Sequence, residues 1–196
     1  MGNVHHAVLI TAIFLLPAVT SAAAELEIKR LPGGAIRADI GYGVIVNKGS
    51  SLERTIYLIN DHTAPIYVLG GRLKIAYDSK KRRLVYRIVT DLRAKTAIKA
   101  YQVNYSIYDV FDEHIITLGA REIKDVTERV PFTGEATFND YREKSVEALT
   151  TFVFLRRARR GDGTVWKARI DEISSVAASK LRRESIVIEE EKEEKR

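Results

Sequence analysis

Cysteine is missing from all 196 residues. That excludes disulfides, iron–sulfur clusters, thiolate zinc sites and a lipid-modified cysteine anchor. Histidine is scarce: beyond His5 and His6 at the start, only His62 and His114 remain. Any nucleophile–base arrangement would have to use one of these two, and neither lies beside a Gly-x-Ser-x-Gly elbow. A metal shell would need carboxylates gathered around isolated histidines. Gly-rich phosphate loops are absent too, because Gly70-Gly71 and Gly161-Asp162-Gly163 are short, turn-like and open no helical pattern. The expectation is a protein without catalytic residues, metal or cofactor.

No apolar run reaches the roughly 18 to 20 residues that span a bilayer. The longest, Ala7 to Val19, follows a short polar start and precedes Thr20-Ser21-Ala22-Ala23-Ala24 and an abrupt charged stretch from Glu25. This is the layout of a secretory signal peptide over residues 1–24, with cleavage near Ala22 to Ala24. Its leading segment lacks Lys and Arg, which leaves an uncleaved membrane anchor as the alternative. An exported chain without cysteine fits a prokaryotic periplasm or cell exterior better than a secreted animal protein. The net charge of +6 survives removal of the leader and favours polyanionic neighbours, although export disfavours nucleic acid.

What is present is alternation. From Arg54 to Ile170 apolar and polar residues alternate without a sustained helical stripe, which predicts antiparallel sheet. In Ile98 to Val110, Tyr101, Val103, Tyr105 and Ile107 fall on one face, and Gln102, Asn104 and Ser106 on the other. Further strands are expected at Thr55–Ile59, Arg72–Tyr77, Leu84–Thr90, His114–Leu118, Glu135–Phe138, Ala148–Arg157 and Thr164–Ile170. Breakers stand between them at Gly70-Gly71, Asp78 to Lys81, Asp112-Glu113, Pro131, Asn139-Asp140 and Gly161-Asp162-Gly163. Seven or eight short strands over this length predict an all-β, immunoglobulin-like antiparallel sandwich over residues 54–173. Residues 25–53 form an arm or extra strand, with a turn at Leu31-Pro32-Gly33-Gly34 and a β-leaning piece at Ala38–Val46. Residues 174–196 complete the chain, with a short helix over Asp171–Arg183 and a charged tail, Glu189 to Arg196, too polar to bury.

Tyr105-Ser106-Ile107-Tyr108-Asp109 resembles the signature of FxLYD domains, small immunoglobulin-like sandwiches of exported prokaryotic proteins, with Tyr for Phe and Ile for Leu. A preceding strand, the charged turn Asp112-Glu113, the strand Ile115–Leu118 and Pro131-Phe132 extend the similarity over about Leu73 to Ile170. The resemblance implies an accessory or binding role and brings no catalytic residues.

The most distinctive constellation is basic. Arg156, Arg157, Arg159 and Arg160 run into the turn at Gly161-Asp162-Gly163, and the returning strand adds Trp166, Lys167 and Arg169. On a ribbon, Arg157 and Arg159 share one face while Arg156 and Arg160 share the other. Guanidinium groups beside an indole can grip acidic groups through bidentate contacts and stacking. A second cluster, Lys80-Lys81-Arg82-Arg83, sits in another turn. Cations at strand ends also blunt sheet edges, which is the plainer explanation of both. Arg160-Gly161-Asp162 matches an adhesion tripeptide, and Asn104-Tyr105-Ser106 a glycosylation tripeptide inside a strand. Asp109 to His114 gathers three acids and a histidine, but without the Gly and spacing of a calcium loop. The sequence therefore points to a non-catalytic binding or assembly module of the cell envelope. It would engage a protein partner through a sheet face, an edge strand or the basic hairpin. The alternatives are a binder of acidic polysaccharide or anionic lipid through the same arginines, and a hydrolase built on His62 or His114.

Overall fold

The computed structural model describes residues 26–35, 52–140, 144–186 and 188. The leader, the β-leaning piece at Ala38–Val46 and the acidic run from Glu189 lie outside the described residues. Among those described, the order is β1 (Leu26–Ala35), β2 (Glu53–Asp61), β3 (Ile66–Asp78), β4 (Arg83–Ala94), β5 (Ile98–Tyr108), β6 (His114–Val126) and β7 (Pro131–Asp140). A short 3-10 turn (Lys144–Val146), β8 (Thr150–Arg160), β9 (Val165–Lys167) and α1 (Ile170–Lys180) follow. The described residues form an all-β sandwich of two sheets with one short helix. The larger sheet runs β1-β2-β8-β5-β6, with β9 also paired to β8, and the smaller runs β3-β4-β7.

Between the sheets lies an apolar core. Ile56 and Leu58 of β2, Tyr86 and Ile88 of β4, Val103 and Tyr105 of β5, and Val153 and Leu155 of β8 are all buried there. A second core lies on the outer face of the larger sheet. Ile173 and Ala177 of α1 and Leu181 at its C-cap, spaced about one turn apart, cover Ile59, Tyr108, Phe152 and Phe154. The centre of the larger sheet is thus buried on both faces, and strands covered this way lose the half-exposed alternation of a solvent-facing sheet.

That second layer corrects one expectation directly. Gln102, Asn104 and Ser106, assigned to a polar face of β5, are buried. Buried polar groups need partners. The Gln102 amide donates to Asn104 Oδ1 at 2.9 Å, and the Ser106 and Thr117 hydroxyls are 2.8 Å apart. Asn104 is therefore a structural residue, and the tripeptide it opens presents no accessible amide.

Pairing is antiparallel except at one place. β2 runs parallel to β8 from Thr55↔Thr150 to Ile59↔Phe154, so the larger sheet is mixed. Two expected turns prove to be irregularities inside strands. Leu31 to Gly34 lies within β1, where the register shifts between Pro32 and Gly34. Gly33 is needed there because a Cβ would come within 2.8 Å of Arg54 Cβ. Gly70-Gly71 likewise lies inside β3, beside a register shift between Val68 and Gly70. Strand periodicity hides such bulges, since one extra residue leaves the ladder locally broken but the strand continuous. Pro131 opens β7 rather than separating strands, as its missing N–H allows at a strand start.

Several polar contacts tie the layers. Asn60 of β2 donates from Nδ2 to the Val68 carbonyl at 3.0 Å and accepts from the Val68 N–H at 2.8 Å, bridging the sheets as a strand would. Tyr86 and Thr151 hydroxyls meet at 2.6 Å, and those of Thr90 and Tyr105 at 3.0 Å. Buried Arg54 donates from Nε and Nη2 to the carbonyls of Ala148 and Val146, each at 2.9 Å, fixing the approach to β8.

Candidate functional site

β8 is the strand that makes the site. Its first half pairs with β2 as far as Phe154, and its second half pairs with β9 on the edge that β2 has left. Between these halves, relative to β5, one residue is added: Gln102 pairs with Arg157 and Val103 with Leu155, leaving Arg156 as the bulge. Bulges re-aim the side chains that follow. Here the consequence is that Arg157 and Arg159 stand on the outer face, above the end of the helix-covered core.

Register across four strands then builds two adjacent rows. Lys167 of β9 faces Arg157, Arg157 faces Gln102, and Gln102 faces Arg121 of β6. In the neighbouring row Val165 faces Arg159, Arg159 faces Ala100, and Ala100 is followed across the β5–β6 ladder by Ile123. These residues line one open groove of about 380 Å³. With strands about 4.8 Å apart, the rows are about 14 Å long.

Gln102 organises the first row. Its Oε1 accepts Nε–H from Arg121 at 3.0 Å and from Arg157 at 2.9 Å. One neutral amide oxygen thus holds two guanidinium groups beside each other. Lys167, directly across from Arg157, adds a third cation. Like charges opposite one another across a sheet are unfavourable by themselves. Arg159 is held at the rim by donation from Nη1 to the Gly163 carbonyl at 3.1 Å. The groove is not uniformly polar, because Ile123 is 96% exposed and Val165 47% exposed at its lips.

The structure divides the basic cluster. Arg157 and Arg159 share a face as expected, and Lys167 joins them. Trp166 does not, since it pairs with Ala158 on the opposite face, packs against both cores and donates from Nε1 to Thr63 Oγ1 at 3.1 Å. The expected stacking of indole on guanidinium inside one site is therefore replaced by packing. Arg169 leaves the strand as well, because β9 ends at Lys167 and α1 begins at Ile170. Its guanidinium binds Glu172 at 2.6 Å and lies 3.7 Å from Asp61. Arg160 lies across from Ile98, off the groove face, and Arg156 is the bulge residue whose carbonyl accepts the Ala168 N–H. Lys80, Lys81 and Arg82 occupy the β3–β4 turn and Arg83 opens β4, at the opposite end of the sandwich, where Lys80 and Lys81 N–H groups bind Asp78 Oδ1.

Sequence reasoning missed Arg121, Gln102, Ala100, Ile123 and Val165 as groove residues. Nothing local marks them; only the β5–β6 and β5–β8 registers bring them to Arg157.

The remaining candidates have local duties. Asp162 Oδ1 accepts from the Thr164 N–H at 2.8 Å and its hydroxyl at 2.7 Å, and these bonds hold its carboxyl below the usual range. Asp162 therefore closes its own turn. Asp109 Oδ1 accepts N–H groups from Phe111 and Glu113, both at 2.8 Å, so the acid-rich loop is organised by backbone donors. No group of three metal-ligating side chains occurs among the described residues. His62 is exposed, and its carbonyl takes the Lys95 ammonium at 2.9 Å. His114 Nε2 and Thr117 Oγ1 are 2.9 Å apart, and its ring stands edge-on to Tyr108 at 5.3 Å. No helix among the described residues is long and apolar enough to cross a membrane.

No protein-family model matches this sequence. No curated protein matches it either. Among solved structures it is similar to a hypothetical protein of Peptoclostridium difficile 630, at 11% identity and a TM-score of 0.39, over 60% of this chain and 92% of that one.

Proposed function

We propose that this is an exported, non-catalytic interaction module that binds an acidic, partly apolar segment of a cell-envelope protein in the groove of β9, β8, β5 and β6. The carrying observation is the cross-strand row Lys167, Arg157, Gln102, Arg121, in which one amide oxygen holds two guanidinium groups beside an ammonium. Arg157 and Lys167 stand directly opposite one another, which is unfavourable between like charges, and an arriving carboxylate would relieve that repulsion. Exposed Ile123 and Val165 supply apolar surface that a polysaccharide would leave uncovered, which favours a protein segment. The resemblance of Tyr105 to Asp109 to FxLYD domains supports the accessory role. In that stretch Tyr105 and Ile107 fill the core and Asp109 shapes the turn, so these positions serve the scaffold while the groove lies beyond them.

The experiment is a titration of the mature protein with three fluorescent probes: a ten-residue peptide alternating Glu with Ile, heparin, and vesicles of phosphatidylglycerol. Preference for the peptide supports the proposal. Binding of heparin or vesicles alone would replace it with the polysaccharide or lipid reading.

A further inference from the structure

The larger sheet ends on β6, whose outer edge meets no strand among the described residues. Edge strands are commonly blunted by shortness, by proline or by unmatched charge. β6 is 13 residues long and holds no proline. Its last stretch, Arg121-Glu122-Ile123-Lys124-Asp125, is exposed apart from half-buried Glu122, and Ile123 is 96% exposed. Ile123 lines the groove and Val126 lies in the core, three residues apart on opposite faces, as plain strand alternation requires. The register shift beside Ile98 and Ala100 thus concerns the pairing with β5, while β6 itself runs on to Val126.

The order of charges along this edge is self-complementary. From Arg121 to Asp125 it reads plus, minus, apolar, plus, minus. Antiparallel pairing of two copies about Ile123 sets Arg121 opposite Asp125, Glu122 opposite Lys124, and Ile123 opposite Ile123. Opposite charges and apolar pairs across a ladder stabilise it, and like charges destabilise it. A slip of one residue would oppose Glu122 to Asp125, or Arg121 to Lys124. A slip of two would oppose Glu122 or Lys124 to its own copy. Charge therefore selects the centred register over these neighbours, and that register is symmetric, as a twofold interface requires. The five residues are also neutral as a set, in a chain of net charge +6. Asp125 pairs with Lys99 of its own chain at 3.2 Å, yet its side chain remains 81% exposed.

We propose that the partner of this edge is a second copy of the chain, paired antiparallel along β6 and centred on Ile123, so that two larger sheets become one. The pairing is independent of what the groove binds, and it would bring the two grooves together with Ile123 of each copy at the join. One strand pair makes a small interface, so self-association is expected on the order of micromolar.

Sedimentation velocity of the mature chain over about 1 to 500 µM tests this. Lys124→Glu/Asp125→Lys and Arg121→Asp/Glu122→Lys each keep the net charge and make both kinds of cross-strand charge pair repulsive within a homodimer. Mixed together, the two variants again oppose every charge to its opposite. The expected result is a monomer–dimer equilibrium for the parent, weaker by at least about tenfold in each variant alone and restored in their equimolar mixture. Ile123→Glu, at an exposed position, is expected to weaken the dimer as well by placing two carboxylates on the axis. A parent that stays monomeric would overturn the proposal and leave Lys124 as a charge that blunts the edge. Variants that dimerise as the parent does, a mixture no stronger than its components, or growth past the dimer would also overturn it, because twofold pairing uses up the edge.

Discussion

Arg157 donates its Nε hydrogen to Oε1 of Gln102 at 2.9 Å, and the same oxygen receives Arg121 at 3.0 Å. Gln102 is itself buried, with its amide nitrogen committed to Asn104. The charged rim of the groove is thereby linked to the polar ladder inside β5, and the positions of the guanidinium groups depend on a neutral side chain.

Replacing Gln102 with Met keeps the length and removes the acceptor. Affinity for the acidic peptide should fall by about fivefold, the equivalent of about 1 kcal/mol, while its salt dependence stays unchanged because every cation remains. Stability should drop by a further 1 to 2 kcal/mol or so, since Asn104 Oδ1 loses its donor. Fluorescence titration at two ionic strengths and urea unfolding measure both. A changed salt slope would show that Gln102 does something other than position the arginines.

Gly33→Ala should destabilise the fold by about 1 to 3 kcal/mol, because the new Cβ would meet Arg54 Cβ at 2.8 Å and its backbone at 3.0 Å. Gly34 has open space around its Cβ position, so the cost of Gly34→Ala would come from its φ of 86° alone. Urea unfolding of the two variants separates crowding from backbone strain.

Stability should fall as pH rises past 10. Burial pushes the Tyr105 and Tyr108 hydroxyls up to about 12, opposed for Tyr105 by the Thr90 hydroxyl and for Tyr108 by Arg183. Burial also raises Tyr86. Unfolded tyrosine ionises near pH 10, so between about 10 and 12 the unfolded state holds fewer protons than the native state. The contribution is complete below pH 10 and is lost towards pH 12, at on the order of 1 kcal/mol per pH unit for each group. Urea midpoints at pH 9, 10, 11 and 12 check this, and a flat profile would contradict the burial of these hydroxyls.

Alternation made the strands legible from Thr55 onward, because a sheet covering an apolar core must repeat every two residues. It could not reveal the second core. Phe152 and Phe154 lie across from Ser106 and Asn104, and only the docking of α1 turns that mixed face inward. Bulges were equally hidden: Gly33 and Gly70 look like turn residues, yet both sit at register shifts inside strands, and Gly33 is confined to glycine by the close approach of Arg54. Sequence proximity grouped Arg157, Arg159 and Lys167, which the strand register also places along one groove. It grouped Trp166 and Arg169 with them as well, and these lie off the groove because their positions depend on strand parity and on where β9 ends. Arg121 and Gln102 lie far from the hairpin in sequence, so no local pattern could connect them before the register was known.

The proposed binding surface is the groove of Arg121, Arg157, Arg159 and Lys167. Its most direct test compares Arg157→Glu/Arg159→Glu with Lys81→Glu/Arg82→Glu, two variants of equal charge change at opposite ends of the sandwich, in binding the Glu–Ile peptide at about 50 and 300 mM salt. The expected result is a loss of at least about tenfold for the first pair at low salt and near-normal binding for the second. Equal losses would show that net charge alone attracts the peptide, and the groove would not be the site.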